Sequence, residues 1–375
     1  MKSSAPTHGL LMILLALVVP LASCGKGGSD GEKSDLPGSD LLVKETVLKS
    51  GDLEIKAVLT VPKRAAGELV PGAVIVPTFE HLDRNGSFAD PAAQLTFQPY
   101  KDLADQLAER GVATVRYDKR TLPDYVAKIN VPELTIEDFY PDALAAIELL
   151  RNTPGVDPGR LYFIGHGEGA VIVPAIVESK PELGVRGVVL IAPPLLPYDQ
   201  LILEAQDYEI RQISLMLKFH PELEEEQGAR LERVRQFREV YATAFKMLEE
   251  GLWEKERSLN RFYKKYWEHA IKLYGGNRER IARLKLPVLI VQGSLDHFVI
   301  PQDVANARGA FEATGHIRVE LIDAASHYLI SPETRHVETR ASDLIAAWLK
   351  DPVIPRAKPT PESGTESSAD KTGEN

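Results

Sequence analysis

The 375-residue sequence predicts an α/β fold, a mostly parallel central sheet flanked by helices, with a helical cap inserted into it. Three observations carry this. Short β-branched runs with little polar alternation recur along the chain, as strands buried on both faces require. Segments of helical spacing lie between them. One long segment, from Tyr198 to Arg283, breaks the alternation with helical spacing and no strand signal.

The first element is not part of that fold. Met1-Lys2 precedes an apolar stretch running from Gly9 to Val19, too short for a comfortable membrane span. With small residues at its boundary it has the form of a secretory signal peptide over 1–23. Leu21-Ala22-Ser23-Cys24 resembles a bacterial lipobox, and the resemblance implies cleavage before Cys24 and lipid attachment to its sulfur. Several acyl chains would anchor the protein, since each buried methylene contributes about 0.8 kcal/mol. The expected location is the bacterial cell envelope, and Gly25 after the cysteine favours outer-membrane sorting by the same resemblance. Residues 24–40, rich in Gly, Ser and charge, read as a flexible tether, and 351–375, rich in Pro, Ser, Thr and Glu, as a disordered tail.

The folded part then runs over 41–350. Val43 to Leu48 and Ile55 to Val61, joined across Ser50-Gly51-Asp52, predict an antiparallel hairpin at the sheet edge. Further strands are expected at Ala73–Pro77, Ala113–Asp118, Leu161–Gly165, Gly187–Pro193, Pro287–Gly293 and Arg318–Asp323. Helices are expected at Tyr100–Arg110, Thr135–Arg151, Glu168–Ser179 and Glu333–Leu349. The cap, about 198–283, contributes helices over Leu201–Phe219 and Gly228–Leu248. In it Leu259, Phe262, Tyr263, Tyr266, Ala270 and Leu273 are expected on one helical face, packed onto the body first, with the lining of an acyl or aromatic ligand pocket, or contact with a membrane or partner, as alternatives.

Composition narrows the chemistry. Lys+Arg number 44 against Asp+Glu 54, a net charge of -10, and no long basic run exists to track a phosphate backbone, so nucleic acid is not an expected partner. A single cysteine makes neither an intramolecular disulfide nor a thiolate metal cage. Nothing in the sequence calls for a cofactor.

Chemistry in an open parallel sheet belongs at the carboxyl ends of the strands. The predicted strand at Leu161 runs into Gly165-His166-Gly167-Glu168-Gly169 and then an apolar helix, the setting of a Gly-x-Ser-x-Gly nucleophile elbow. Arg116-Tyr117-Asp118-Lys119-Arg120 and Asp83-Arg84-Asn85-Gly86 lie after earlier strands. Gln292-Gly293-Ser294-Leu295-Asp296 and Ala325-Ser326-His327 follow later ones. On these blocks the sequence resembles the α/β-hydrolase superfamily, its serine-aminopeptidase-like and acyl-esterase branch, over nearly all of the folded part. The resemblance implies Asp296 as acid and His327 as base, in the chain order nucleophile, acid, base. It also places Gly167 where the relatives carry serine.

That absence sets the expectation for function. Acyl transfer needs an oxygen nucleophile deprotonated by the histidine, and glycine has none. The segment after the third strand, Gly-rich in the relatives, reads Pro77-Thr78-Phe79-Glu80-His81, and a bulky Phe79 and an anionic Glu80 suit a developing oxyanion poorly. The principal reading is therefore a hydrolase-fold lipoprotein, impaired in ordinary serine hydrolysis, that binds a small acyl or peptide-like ligand or a partner. The alternative is an active hydrolase of ester, thioester or peptide bonds in which the His327/Asp296 pair works on water or substrate, assisted by His166, Glu168, His81 or Glu80. A metal among His81, Glu80, His166 and His327 is the weakest option, because their spacing carries no metal signature. His297 is expected at the surface or against the cap.

Overall fold

A computed structural model describes residues 41–64, 67–90 and 95–352. Signal segment, Cys24, tether and all but the first two residues of the tail lie outside the described residues. Eight strands form one sheet: β1 (Leu42–Ser50), β2 (Leu53–Val61), β3 (Val70–Val76), β4 (Ala113–Tyr117), β5 (Val156–His166), β6 (Gly187–Ile191), β7 (Val288–Gly293) and β8 (Ile317–Ile322). Their spatial order is β1-β2-β4-β3-β5-β6-β7-β8. β2 pairs antiparallel with β1 and β4, and the remaining neighbours pair parallel. The hairpin turns at Gly51, whose φ of 59° is the left-handed geometry a two-residue turn demands. Strands β3, β4, β6 and β7 are buried end to end, and β5 from Leu161 to His166, matching their unalternated sequences.

Helices α1 (Pro99–Glu109), α2 (Pro123–Val126), α3 (Tyr140–Arg151) and α4 (Gly169–Ser179) follow the first strands. The cap carries α5 (Tyr198–Phe219), α6 (Glu224–Glu249), α7 (Lys264–Gly275) and α8 (Asn277–Arg283). The order closes with α9 (Pro301–Glu312), a helix the sequence reading did not name, and α10 (Thr339–Lys350).

Three expected helices change. The segment from Thr135 opens as a 3-10 turn, Ile136–Phe139, closed by a Thr135–Asp138 capping box. Pro141 starts α3 afresh because it has no N–H for the preceding turn and its ring crowds the carbonyl four residues back. The last helix begins at Thr339, since Ile330 and Val337 bridge antiparallel instead of coiling. In the cap, Leu259, Phe262 and Tyr263 do not join Tyr266, Ala270 and Leu273 on one helix. Asn260 and Arg261 both take positive φ, so Ser258–Leu259 folds back on Phe262–Tyr263 as a small hairpin. Phe262 still reaches the body, packing its ring on Phe79 and stacking on Tyr266.

The sheet order makes a crevice. From β3 the chain crosses by α1 to β4, and from β5 it crosses by α4 to β6 on the other side. β3 and β5 are adjacent, so the loops leaving their carboxyl ends diverge at a topological switch point, where such sheets bind ligands.

Candidate active site

Strand β5 turns into α4 within Gly165-His166-Gly167-Glu168. A Cβ on Gly165 would overlap the Gly169 carbonyl, so only glycine lets the turn close this tightly. Gly167 sits at the apex with φ 53°. A Cβ built there would overlap Thr78 Oγ1 and lie 3.4 Å from Nε2 of His327. The elbow therefore aims at the predicted base, but the space of its missing side chain is entered by Thr78.

His327, on the loop after β8, is 3% exposed and Asp296, after β7, is 1% exposed. Nδ1–H of His327 donates to Asp296 Oδ2 at 2.8 Å. Gln292 donates to the same oxygen, and the Phe298 and Val299 amides donate to Oδ1. Four donors thus fix the carboxylate, which fixes the imidazole with Nε2 turned to the elbow. Nε2 itself is buried without a hydrogen-bond partner. Burial alone would lower the His327 pKa, but the Asp296 charge and hydrogen bond, with Glu80 behind them, raise it above its ordinary value.

All four assisting candidates are already engaged, Glu80 through a hydrogen bond from Tyr328. The Thr78 amide donates to Tyr100 Oη, Tyr100 donates to Nδ1 of His166, and Nε2–H of His166 donates to the His327 carbonyl. That relay locks His166 neutral, and burial followed by the His327 charge pushes its pKa well down. Glu168 pairs with Lys119 at 2.7 Å and accepts from Tyr266 of α7. His81 faces the cap, where Nδ1 accepts from Thr121 and Nε2 meets the Asn260 carbonyl. Its pKa is pushed down to about 3 by burial, then by Lys119 and Arg261. Glu80 alone keeps a buried oxygen, Oε2, without a partner. His297 stands edge-on to Tyr208 of α5.

Lys119 also donates to the Thr78 and Phe79 carbonyls, orienting the loop after β3. Phe79 does not crowd this loop's amides; its ring is buried among Tyr198, Phe262, Tyr266 and Trp267. Among the described residues no backbone carbonyl accepts from the amide N–H groups of Phe79 or Glu168, the two amides that flank the elbow crevice in sequence. No group of three or more His, Cys, Asp or Glu suited to a metal occurs among the described residues. No described helix is long and apolar enough to cross a membrane. Thr78, Tyr100 and Tyr266 escaped the sequence reading as site residues. Only Lys119 had a signal, its place in the Arg-Tyr-Asp-Lys-Arg block.

The family described as serine aminopeptidase, S33, matches residues 96–334. The esterase EstD of Thermotoga maritima is 27% identical over 267 residues, a match covering 67% of this chain and 56% of the esterase. The chain thus spans little more than half the length of that relative. Among solved structures, the 2,6-dihydroxy-pseudo-oxynicotine hydrolase superimposes with a TM-score of 0.51 at 12% identity, over 85% of this chain and 70% of that one. An esterase domain from Rhodothermus marinus gives 0.49 at 15%, over 82% and 98%. At 12% identity the likeness to the 2,6-dihydroxy-pseudo-oxynicotine hydrolase speaks to fold alone.

Proposed function

Because the chain belongs to the serine aminopeptidase, S33, family and has the α/β-hydrolase fold, we propose that it acts on an acyl-type substrate through the His327–Asp296 pair and not through an elbow serine. One observation carries the reading: Nε2 of His327 is buried, tautomerically fixed by Asp296, and left open beside Gly167. A base retained only for packing would gain stability by satisfying that nitrogen.

In this role His327 removes a proton from the attacking hydroxyl, and Asp296 stabilises the imidazolium that forms. In this reading the amides of Phe79 and Glu168 supply donors for the carbonyl oxygen as it gains charge. Ester, thioester and peptide carbonyls all fit this chemistry. Assays of p-nitrophenyl esters test it: activity in the wild type that falls by about 10³-fold or more in His327→Ala supports the pair as the working base. Activity unchanged by that substitution rejects it.

A second reading keeps the fold and drops the catalysis, leaving a ligand- or partner-binding protein. Thr78 entering the space of the lost serine favours it. Fluorescent fatty acid binding that persists in His327→Ala, with no ester turnover in the wild type, would decide for it. Under either reading Cys24 is proposed as a lipid anchor to the cell envelope. Palmitate labelling should vanish in Cys24→Ala.

A further inference from the structure

We infer that Thr78 supplies the nucleophile the elbow lacks: its Oγ1 and Nε2 of His327 both border the point that a serine Cβ at 167 would occupy. This rests on the reading of His327 and Asp296 as a working pair. Thr78 is 0% exposed, and its hydroxyl oxygen, like Nε2 of His327, has no hydrogen-bond partner. Two unpaired buried polar atoms at one spot are costly, and valine would fill the same volume without a hydroxyl to bury. The Thr78 backbone is pinned on both sides, its N–H by Tyr100 and its carbonyl by Lys119. The hydroxyl is thereby held on a fixed loop at the switch-point crevice, across from the elbow. The two atoms do not hydrogen-bond in the free protein, and such bonds commonly tighten only when substrate arrives.

The chemistry balances without a further reactant. A lone pair of Thr78 Oγ1 attacks the substrate carbonyl carbon while the hydroxyl proton passes to Nε2 of His327. The carbonyl π electrons move to oxygen. Their return expels the alcohol, thiol or amine, which takes the proton from His327 and leaves an ester on Thr78. Water then adds to that ester, giving its proton to Nε2. The Thr78 oxygen departs, recovers the proton, and a carboxylic acid is released.

The test uses the full chain as wild type, Thr78→Val, Thr78→Ser and His327→Ala, with p-nitrophenyl butyrate and a fluorophosphonate as probes. The expected result is a phosphonyl adduct mapped by mass spectrometry to the Thr78 peptide, absent in Thr78→Val, retained in Thr78→Ser and strongly slowed in His327→Ala. Ester hydrolysis should fall by about 10²-fold or more in Thr78→Val and stay within about tenfold in Thr78→Ser. Melting curves establish that each variant folds. Wild-type rates in Thr78→Val alongside an inactive His327→Ala would overturn Thr78 as nucleophile and leave His327 acting on water. An adduct on another residue would do the same. A wild type inert to both probes would overturn this inference and the base-pair reading together.

Discussion

At residue scale, the central fact is how two side chains share the crevice: the elbow carries none at Gly167, and Thr78 projects its own into the space one there would need. Gly167→Ser alone is therefore expected to fail. Its Cβ would overlap Thr78 Oγ1 on a backbone already at φ 53°, and overpacking of this kind costs about 1–3 kcal/mol. Gly167→Ser combined with Thr78→Gly removes the clash and returns a hydroxyl to a position facing His327. We expect the single variant to melt lower with little esterase activity, and the double variant to regain part of the lost melting temperature, the strain of a side chain at φ 53° remaining, and to hydrolyse p-nitrophenyl esters well above the wild-type rate. Equal stability of the single variant and the wild type would contradict the packing argument. Gly167, Asp296 and His327 were legible in the sequence because each follows a recognisable strand at a fixed turn. Thr78 was not, because no spacing shows which distant side chain fills a hole.

At the scale of elements, one buried network joins three of them. Lys119 after β4, Glu168 at the elbow and Tyr266 of α7 are fully buried and bonded, and Tyr274 stands 3.5 Å from the same carboxylate. Breaking a buried ion pair from one side leaves an uncompensated charge, at a cost of about 3–5 kcal/mol. Lys119→Met should therefore destabilise strongly and loosen the loop carrying Thr78, whose carbonyl loses its donor. Tyr266→Phe should cost less, about 1.5–3 kcal/mol for one hydrogen bond to a charged group. Urea unfolding of the two variants checks the order, and a larger loss in Tyr266→Phe would refute it. Block Arg116 to Arg120 was readable as a family mark, yet its physical use was hidden. Arg116 serves Thr60, Asp118 serves Arg84 and Tyr125, and Arg120 forks onto Asp142. The strands were legible because burial on both faces erases polar alternation. The cap hairpin was not, because its reversal depends on the left-handed backbone of Asn260 and Arg261.

At the scale of the whole molecule, the buried histidines oppose one another in how they respond to pH. His166 and His81 are neutral in the fold, with pKa values well below 6.5 and about 3 respectively, whereas an unfolded histidine titrates near 6.5. Their contribution to stability is complete above pH 6.5 and is lost as pH falls from there toward the folded values. Each costs up to about 1.4 kcal/mol per pH unit in that window. His327 has the reverse sign: its folded pKa is raised, so its contribution is present below about 6.5 and is lost as pH rises through the raised value. His297, lowered by burial as well, adds to the acid-side loss, while His327 changes only above about 6.5, so urea midpoints should fall between pH 6 and pH 5. Replacing His166 by Gln should flatten that slope, while a slope unchanged by His166→Gln would remove the histidine relay as its cause. Activity should follow His327. As a base His327 must be neutral, so kcat/KM should climb with pH through a value above 6.5, and Asp296→Asn should shift that limb to lower pH while reducing the plateau. On the proposed reading, activity would then be highest where His166 and His81 stay neutral and the relay from Thr78 through Tyr100 to His327 stays closed. A limb that stays in place in Asp296→Asn would show that another group is the base.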